Sequence, residues 1–192
     1  MGVDDINLEA KERKMAEVES AVGGDAPDRH ILLEYMTTAL RAITIPRFYD
    51  TERGFQGELL AGLQRVIPAD FLPDRAIIEQ EYQKRLQEHG LTIRPDIIIH
   101  VPFDPSRHRS RRERNVAVME LKLAASAEEA AADIKSLVKM MEILEYPLAI
   151  FLNIASEVTH ADVVPAEWRE RVVCFAVNLR NGEAHVVRSD IV

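Results

Sequence analysis

The chain has 192 residues, 47% of them hydrophobic, with 24 Lys and Arg against 32 Asp and Glu and a formal net charge of −8. That length and apolar share support one sizeable core and favour one domain over two. The acidic balance excludes a general polyanion binder, because affinity for nucleic acid comes largely from Lys and Arg neutralising phosphates. No apolar stretch approaches the roughly 20 residues of a transmembrane helix. The charged start, MGVDDINLEAKERK, lacks the apolar segment of a signal peptide, and Asn7 stands near where a myristoylation signal after Gly2 would carry Ser or Thr. The single cysteine, Cys174, lies in the apolar run VVCFAV and reads as a buried small side chain. A cytoplasmic location with no membrane partner is the expectation.

Residues 1–24 predict a polar helix ending at Gly23-Gly24, its apolar positions (Leu8, Met15, Val18, Val22) too sparse for a well-buried face. It suits an arm or an oligomer contact. DAPDRHILLEYMTTALRAITIP opens with Asp and Pro in helix-start chemistry and stops at Pro46, with Ile31, Leu32, Tyr35, Met36, Ala39, Leu40 and Ile43 as its apolar face. ERGFQGELLAGLQRVI predicts a third helix on Phe55, Leu59, Leu63 and Val66, closed off by Pro68 and Pro73. The period then changes. RAIIEQEYQKR reads as a strand, Gly90 as a turn, and LTIRPDIIIHV as a β-branched second strand ended by Pro102.

SRHRSRRER, Ser106 to Arg114, holds five arginines and one glutamate and leads into the strand NVAVMELKL. SAEEAAADIKSLVKMMEILEY is a helix with a capping box at Ser126 and Glu129, an apolar face of Ala130, Ile134, Leu137, Val138, Met141 and Leu144, and Lys135, Lys139 and Glu142 on the other side. LAIFLNIA is apolar throughout, as in a sheet interior. The remainder predicts two strands joined at Asn181-Gly182. The fold class is therefore α/β, a central mixed β-sheet flanked by helices. An N-terminal helical extension over 1–52 packs on, or swaps onto, a core over 53–192, a single domain overall.

Glu120 and Lys122 stand two residues apart in the third strand, so they share a face, with Val116 and Val118. Asp96, Ile98 and His100 share a face of the second strand. Pairing Val101 with Asn115 across the arginine loop carries Asp96 to the position opposite Glu120, Cβ atoms about 5 Å apart. Facing carboxylates repel unless a cation lies between them, and Mg²⁺ is typically held by one or two carboxylates plus water and substrate phosphate.

RPDIII followed by MELKL resembles the PD-(D/E)XK nuclease superfamily, the restriction-endonuclease-like fold. The matching residues are Pro95-Asp96 and Glu120-Leu121-Lys122, with 23 residues between the acids. The superfamily core order (helix, three-strand meander, helix, strand) agrees with the elements over roughly 53–155. The resemblance implies that Asp96 and Glu120 bind Mg²⁺, with Mn²⁺ able to substitute, and that Lys122 positions or activates the attacking water. It implies that a glutamate from the preceding helix completes the metal site, Glu58 being the expected equivalent and Glu52 the weaker candidate. The implied function is a metal-dependent phosphodiesterase or endonuclease acting on nucleic acid, DNA before RNA because most relatives cut DNA, often as a homodimer.

Each signal has a plainer reading. An E-x-K triplet alone suits a solvated strand face or a structural ion pair. Pro95 suits a strand start, and His100 a packed or edge residue. Lys135 and Lys139 suit a solvated helix face. Arg107, Arg109, Arg111, Arg112 and Arg114 form either a solvated, disordered loop or a nucleic-acid contact away from the acids. The histidines show no zinc spacing and no phosphate-binding Gly-rich loop is present. The competing function class is a nuclease-like fold serving as a catalytically inactive binding or scaffold protein, which the acidic balance favours.

Overall fold

The computed structural model describes residues 27–80 and 92–190. The predicted first helix lies outside the described residues, as do the second half of the first predicted strand and the Gly90 turn.

Helix α1, Arg29–Arg41, starts where the Asp28 carboxylate accepts from the backbone N–H of His30 at 2.8 Å and of Ile31 at 3.3 Å, satisfying amides that lack partners within the helix. Its buried side comprises Leu32, Leu33, Met36, Ala39 and Leu40. Ile31, expected on that face, is 45% exposed instead. A short 3-10 turn over Pro46–Asp50 leads into α2, Glu52–Val66, capped by Thr51. The two helices cross closely at Gly62, where an added Cβ would meet the Ala39 Cβ at 3.4 Å.

Six strands form one sheet in chain order: β1 Ile77–Gln80, β2 Ile97–His100, β3 Asn115–Leu123, β4 Leu148–Ile154, β5 Val172–Arg180 and β6 Glu183–Arg188. The β3–β4 and β4–β5 pairs are parallel and the others antiparallel, so the sheet is mixed. A parallel pair needs a crossover, and α3, Ala127–Leu144, supplies the one between β3 and β4. Ser126 and Glu129 make the reciprocal capping box that starts it. The β5–β6 hairpin turns on Asn181 and Gly182, whose φ values of 52° and 83° are those a type I′ turn demands.

Alternation along the strands splits the core in two. Ile97, Ile99, Met119, Leu121, Ile150 and Phe175 face α1 and α2. Ile98, Val118, Ala149, Phe151 and Cys174 face α3, with its Ala130, Ile134, Leu137 and Met141. β4, between two parallel neighbours, is buried along its whole length. The α1 side chains share one cluster with α2 and the sheet, so residues from 29 onward belong to the same core. Among the described residues, no helix is long and apolar enough to cross a membrane.

Candidate metal and phosphate-binding site

Through the middle of the hairpin the β2–β3 register is the expected one. Ile97 pairs with Met119, Ile98 with Val118 and Ile99 with Ala117. Beyond Ile99 the pairing departs from expectation: His100, not Val101, lies opposite Asn115, and Val116 is the extra residue of a bulge. Val116 therefore leaves the Val118 face and joins Ala117 in the core under α1 and α2. At the other end the register continues undisturbed into Asp96, whose N–H donates to the Met119 carbonyl at 3.2 Å.

Asp96 is held by three further bonds. Its Oδ2 accepts from the Leu121 N–H at 2.7 Å, its carbonyl accepts from Gln56 Nε2 at 2.6 Å, and its carboxyl bonds the Glu120 carboxyl. Burial pushes both acids up. For Glu120 desolvation is the largest cause, the Asp96 charge the next, and its pKa is pushed up to about 9. For Asp96 desolvation raises the pKa, while the Leu121 amide and the Glu120 bond oppose the rise. The raised pKa favours the protonated form of Glu120 beside the Asp96 carboxyl, the usual effect of desolvation and a nearby like charge on a carboxyl group.

Helix α2 reaches this pair with its first turn. Glu52 Oε2 accepts from the Leu123 N–H at 3.2 Å, and its charge raises the pKa of both Asp96 and Glu120. Gln56, one turn on, falls on the same side of the helix and is buried. Glu58 does not take part. Six residues from Glu52 it is rotated about 120° around the helix, and its Oε1 accepts from Arg65 Nη2 at 3.4 Å. The helix carboxylate at the pair is Glu52, the weaker of the two candidates, because the helix phase follows Phe55, Leu59 and Leu63 into the core.

One acid was not anticipated. Asp133 of α3 acts on Asp96 and Glu120 by its charge, and Lys122 in turn lowers the Asp133 pKa against the rise that burial gives it. It sits three residues after buried Ala130 and four before buried Leu137, at the margin of the inward face. That spacing was the available signal. Lys122 is half-buried, pairs in register with Asn153 of β4 and also faces Glu129. Asn153 is fully buried, its Oδ1 accepting from the Ala125 N–H at 2.8 Å and its Nδ2 donating to the Val158 carbonyl at 2.9 Å.

The donors are hard carboxylate oxygens. Among the described residues no three His, Cys, Asp or Glu side chains stand in ligating geometry, and Glu52 Oε2 is taken up by Leu123. The set fits a hydrated Mg²⁺ or Mn²⁺ on two carboxylates and does not fit a closed zinc cage.

The other predicted groups lie elsewhere. His100 pairs with Glu79 of β1 at 3.1 Å, and Lys135 and Lys139 are exposed on α3. The arginine loop is folded rather than disordered. Asp104 Oδ1 accepts from the N–H and Oγ of Ser106, and Glu113 Oε1 accepts from the N–H groups of Arg109 and Ser110. Arg112 pairs with Glu145 at 3.1 Å, Arg107 with Asp104 at 3.4 Å, and the Arg111 guanidinium lies 4.6 Å from the Phe103 ring centroid. Arg109 and Arg114 line a cleft beside the loop. The chain matches no protein-family model, no curated protein and no solved structure.

Proposed function

We propose that the chain is a divalent-metal-dependent phosphodiesterase acting on nucleic acid, DNA in preference, on a restriction-endonuclease-like core. The observation that carries this reading is the half-buried Asp96–Glu120 carboxyl pair, with Lys122 two residues along the same strand face. The order α2, antiparallel β1–β2–β3, α3, β4 supports it, being the order the family resemblance implies.

Asp96 and Glu120 would hold Mg²⁺ or Mn²⁺, with Glu52 beside them. Such an ion supplies neutralisation of the phosphoryl oxygens and a water acidic enough to ionise near neutral pH. The protein's own part begins with Glu120, which must release its carboxyl proton for the pair to act as ligands. The Leu121 N–H and Gln56 then keep Asp96 in place as its charge is drawn outward. Lys122, whose charge acts on Asp133 and Glu129, would donate from Nζ toward charge developing on phosphate or water oxygens.

Cleavage of supercoiled, single-stranded and branched DNA in Mg²⁺ or Mn²⁺ tests the reading, with Asp96→Ala and Lys122→Ala beside the wild type. Both substitutions are expected to remove activity. Wild-type inactivity on all three substrates, or activity surviving both substitutions, sinks it.

One observation favours a non-catalytic binding role: the acidic balance of 32 Asp and Glu against 24 Lys and Arg. Mn²⁺ titration separates the two, since a binding fold that has lost hydrolysis would take up no ion between Asp96 and Glu120.

A further inference from the structure

The loop between β2 and β3 folds over an open cleft of about 990 Å³. The cleft lies at the opposite end of the hairpin from the carboxyl pair, roughly 15 Å away at about 3.3 Å per strand residue. Four arginines line it, Arg75, Arg107, Arg109 and Arg114, against three carboxylates, Asp74, Asp104 and Glu113. Those carboxylates are already engaged. Asp104 serves Ser106 and Arg107, Glu113 caps two loop amides, and Asp74 lies 3.6 Å from Arg75. Arg109 and Arg114 have no carboxylate partner among the described residues.

The backbone gives an independent indication. Arg75 and Arg114, on different segments, both hold φ in the left-handed region, at 66° and 61°, and both line this cleft. Long side chains rarely adopt that region unless the surroundings impose it, and such residues collect at ligand sites. Phe103 adds a ring in the wall.

We infer that this cleft is a phosphate-binding site, with the Arg109 and Arg114 guanidiniums as its principal donors and Phe103 as its apolar wall. The planar guanidinium fork matches phosphate oxygens in pairs, and an aromatic wall suits a base attached to that phosphate. The shared chemistry is the phosphate group, whether it comes from a phosphomonoester or from the backbone of single-stranded nucleic acid. The site stands apart from the proposed hydrolysis, and the two succeed or fail separately.

Fluorescence polarisation of a labelled single-stranded oligonucleotide, in chelator so that cleavage plays no part, tests the site. The proteins compared are the full-length wild type, the Arg109→Ala/Arg114→Ala double variant and an Arg65→Ala control that is not among the cleft's lining residues. The double variant is expected to bind at least tenfold more weakly. Its log K against log salt should flatten by about 0.7 for each arginine removed. Arg65→Ala should stay within twofold, and melting curves establish that each variant is folded. Displacement by inorganic phosphate and adenosine monophosphate at low millimolar concentration identifies a monoester site. Displacement only by longer oligonucleotides identifies a backbone site. A wild type that binds neither oligonucleotide nor phosphate, or a double variant with unchanged affinity and salt slope, overturns the inference.

Discussion

Asp96 and Glu120 stand together at the end of the β2–β3 hairpin, and the surroundings of Glu120 favour a proton on its carboxyl. Burial first, and the Asp96 charge second, push the Glu120 pKa up to about 9. The arrangement is stable only while that proton stays or a cation replaces it. A structural ion pair on a strand would put Lys122 against one of these acids. Lys122 instead lowers the pKa of Asp133 and Glu129, leaving the two strand carboxyls to each other.

The proton makes stability depend on pH. An unfolded glutamate ionises near its ordinary 4.5, whereas folded Glu120 does so near 9. Between those values the folded chain binds the extra proton, so metal-free stability falls as pH rises, on the order of 1 kcal/mol per pH unit. Glu120→Gln keeps a donor toward Asp96 and removes the titration. In chelator at pH 8 it should melt several degrees above wild type, and the difference should close toward pH 5, where both states are protonated. A wild-type melting temperature flat from pH 5 to 9, with no advantage for the variant, contradicts the proton on Glu120.

Glu52 and Glu58 separate the observed helix phase from the expected one. Glu52→Ala should weaken Mn²⁺ binding by at least tenfold, the usual effect of losing a group that supports metal ligands. Glu58→Ala removes a half-exposed partner of Arg65 and should leave it within twofold. Calorimetric titration near pH 7 reads both, and should also record about one proton released per ion as Glu120 ionises. Equal losses from the two variants would mean that α2 is rotated relative to the sheet.

The Asp96–Glu120 juxtaposition was legible because closing the β2–β3 loop on Val101 and Asn115 sets a register that Ile97–Met119, Ile98–Val118 and Ile99–Ala117 keep, although the bulge displaces the Val101–Asn115 pair itself. The α3 helix was legible to its cap, since Ser126 and Glu129 state it locally. What could not be read depended on neighbours. Val116 fits the alternation, and only the bulge opposite Ile99 and His100 moves it to the other core. Leu33 displaces Ile31 from the α1 core face because α2 approaches from that side, a matter of tertiary contact. Asp133 was not singled out, since helical spacing alone does not say that β3 presents two acids to that margin. The arginines read as a charge run, whereas the backbone bonds of Asp104 and Glu113 fold them into a wall.

Asp133 should tune the pair without binding the ion. Its charge is one of the influences that hold the Glu120 pKa up, behind burial and Asp96. Asp133→Asn removes that charge with little change of shape, so the Glu120 titration midpoint should move down. Carboxyl ¹³C chemical shifts followed against pH in chelator measure it directly. An unchanged or higher midpoint would show that α3 does not press this residue toward the strand acids.

Asn153 supplies the last test, of the frame behind Lys122. It is fully buried at the end of β4, and its side chain ties Ala125 on one side to Val158 on the other. Ala124 and Ala155, each just beyond its strand, hold φ at 49° and 54°, so both chain reversals rest on what fixes them. His160 adds a bond of 2.9 Å to the Ala125 carbonyl. Asn153→Leu keeps the volume but leaves the Ala125 N–H and the Val158 carbonyl without their partner. Leaving these two part-buried main-chain groups without their bonds should destabilise the fold by about 1–3 kcal/mol. Urea denaturation measures the loss, and amide exchange at Ala125 should accelerate beyond the global change because the reversal loosens locally. A change under about 0.5 kcal/mol, the range of an ordinary surface substitution, would mean that the reversals at Ala124 and Ala155 hold without the amide, and that the position of Lys122 is set by β3 alone.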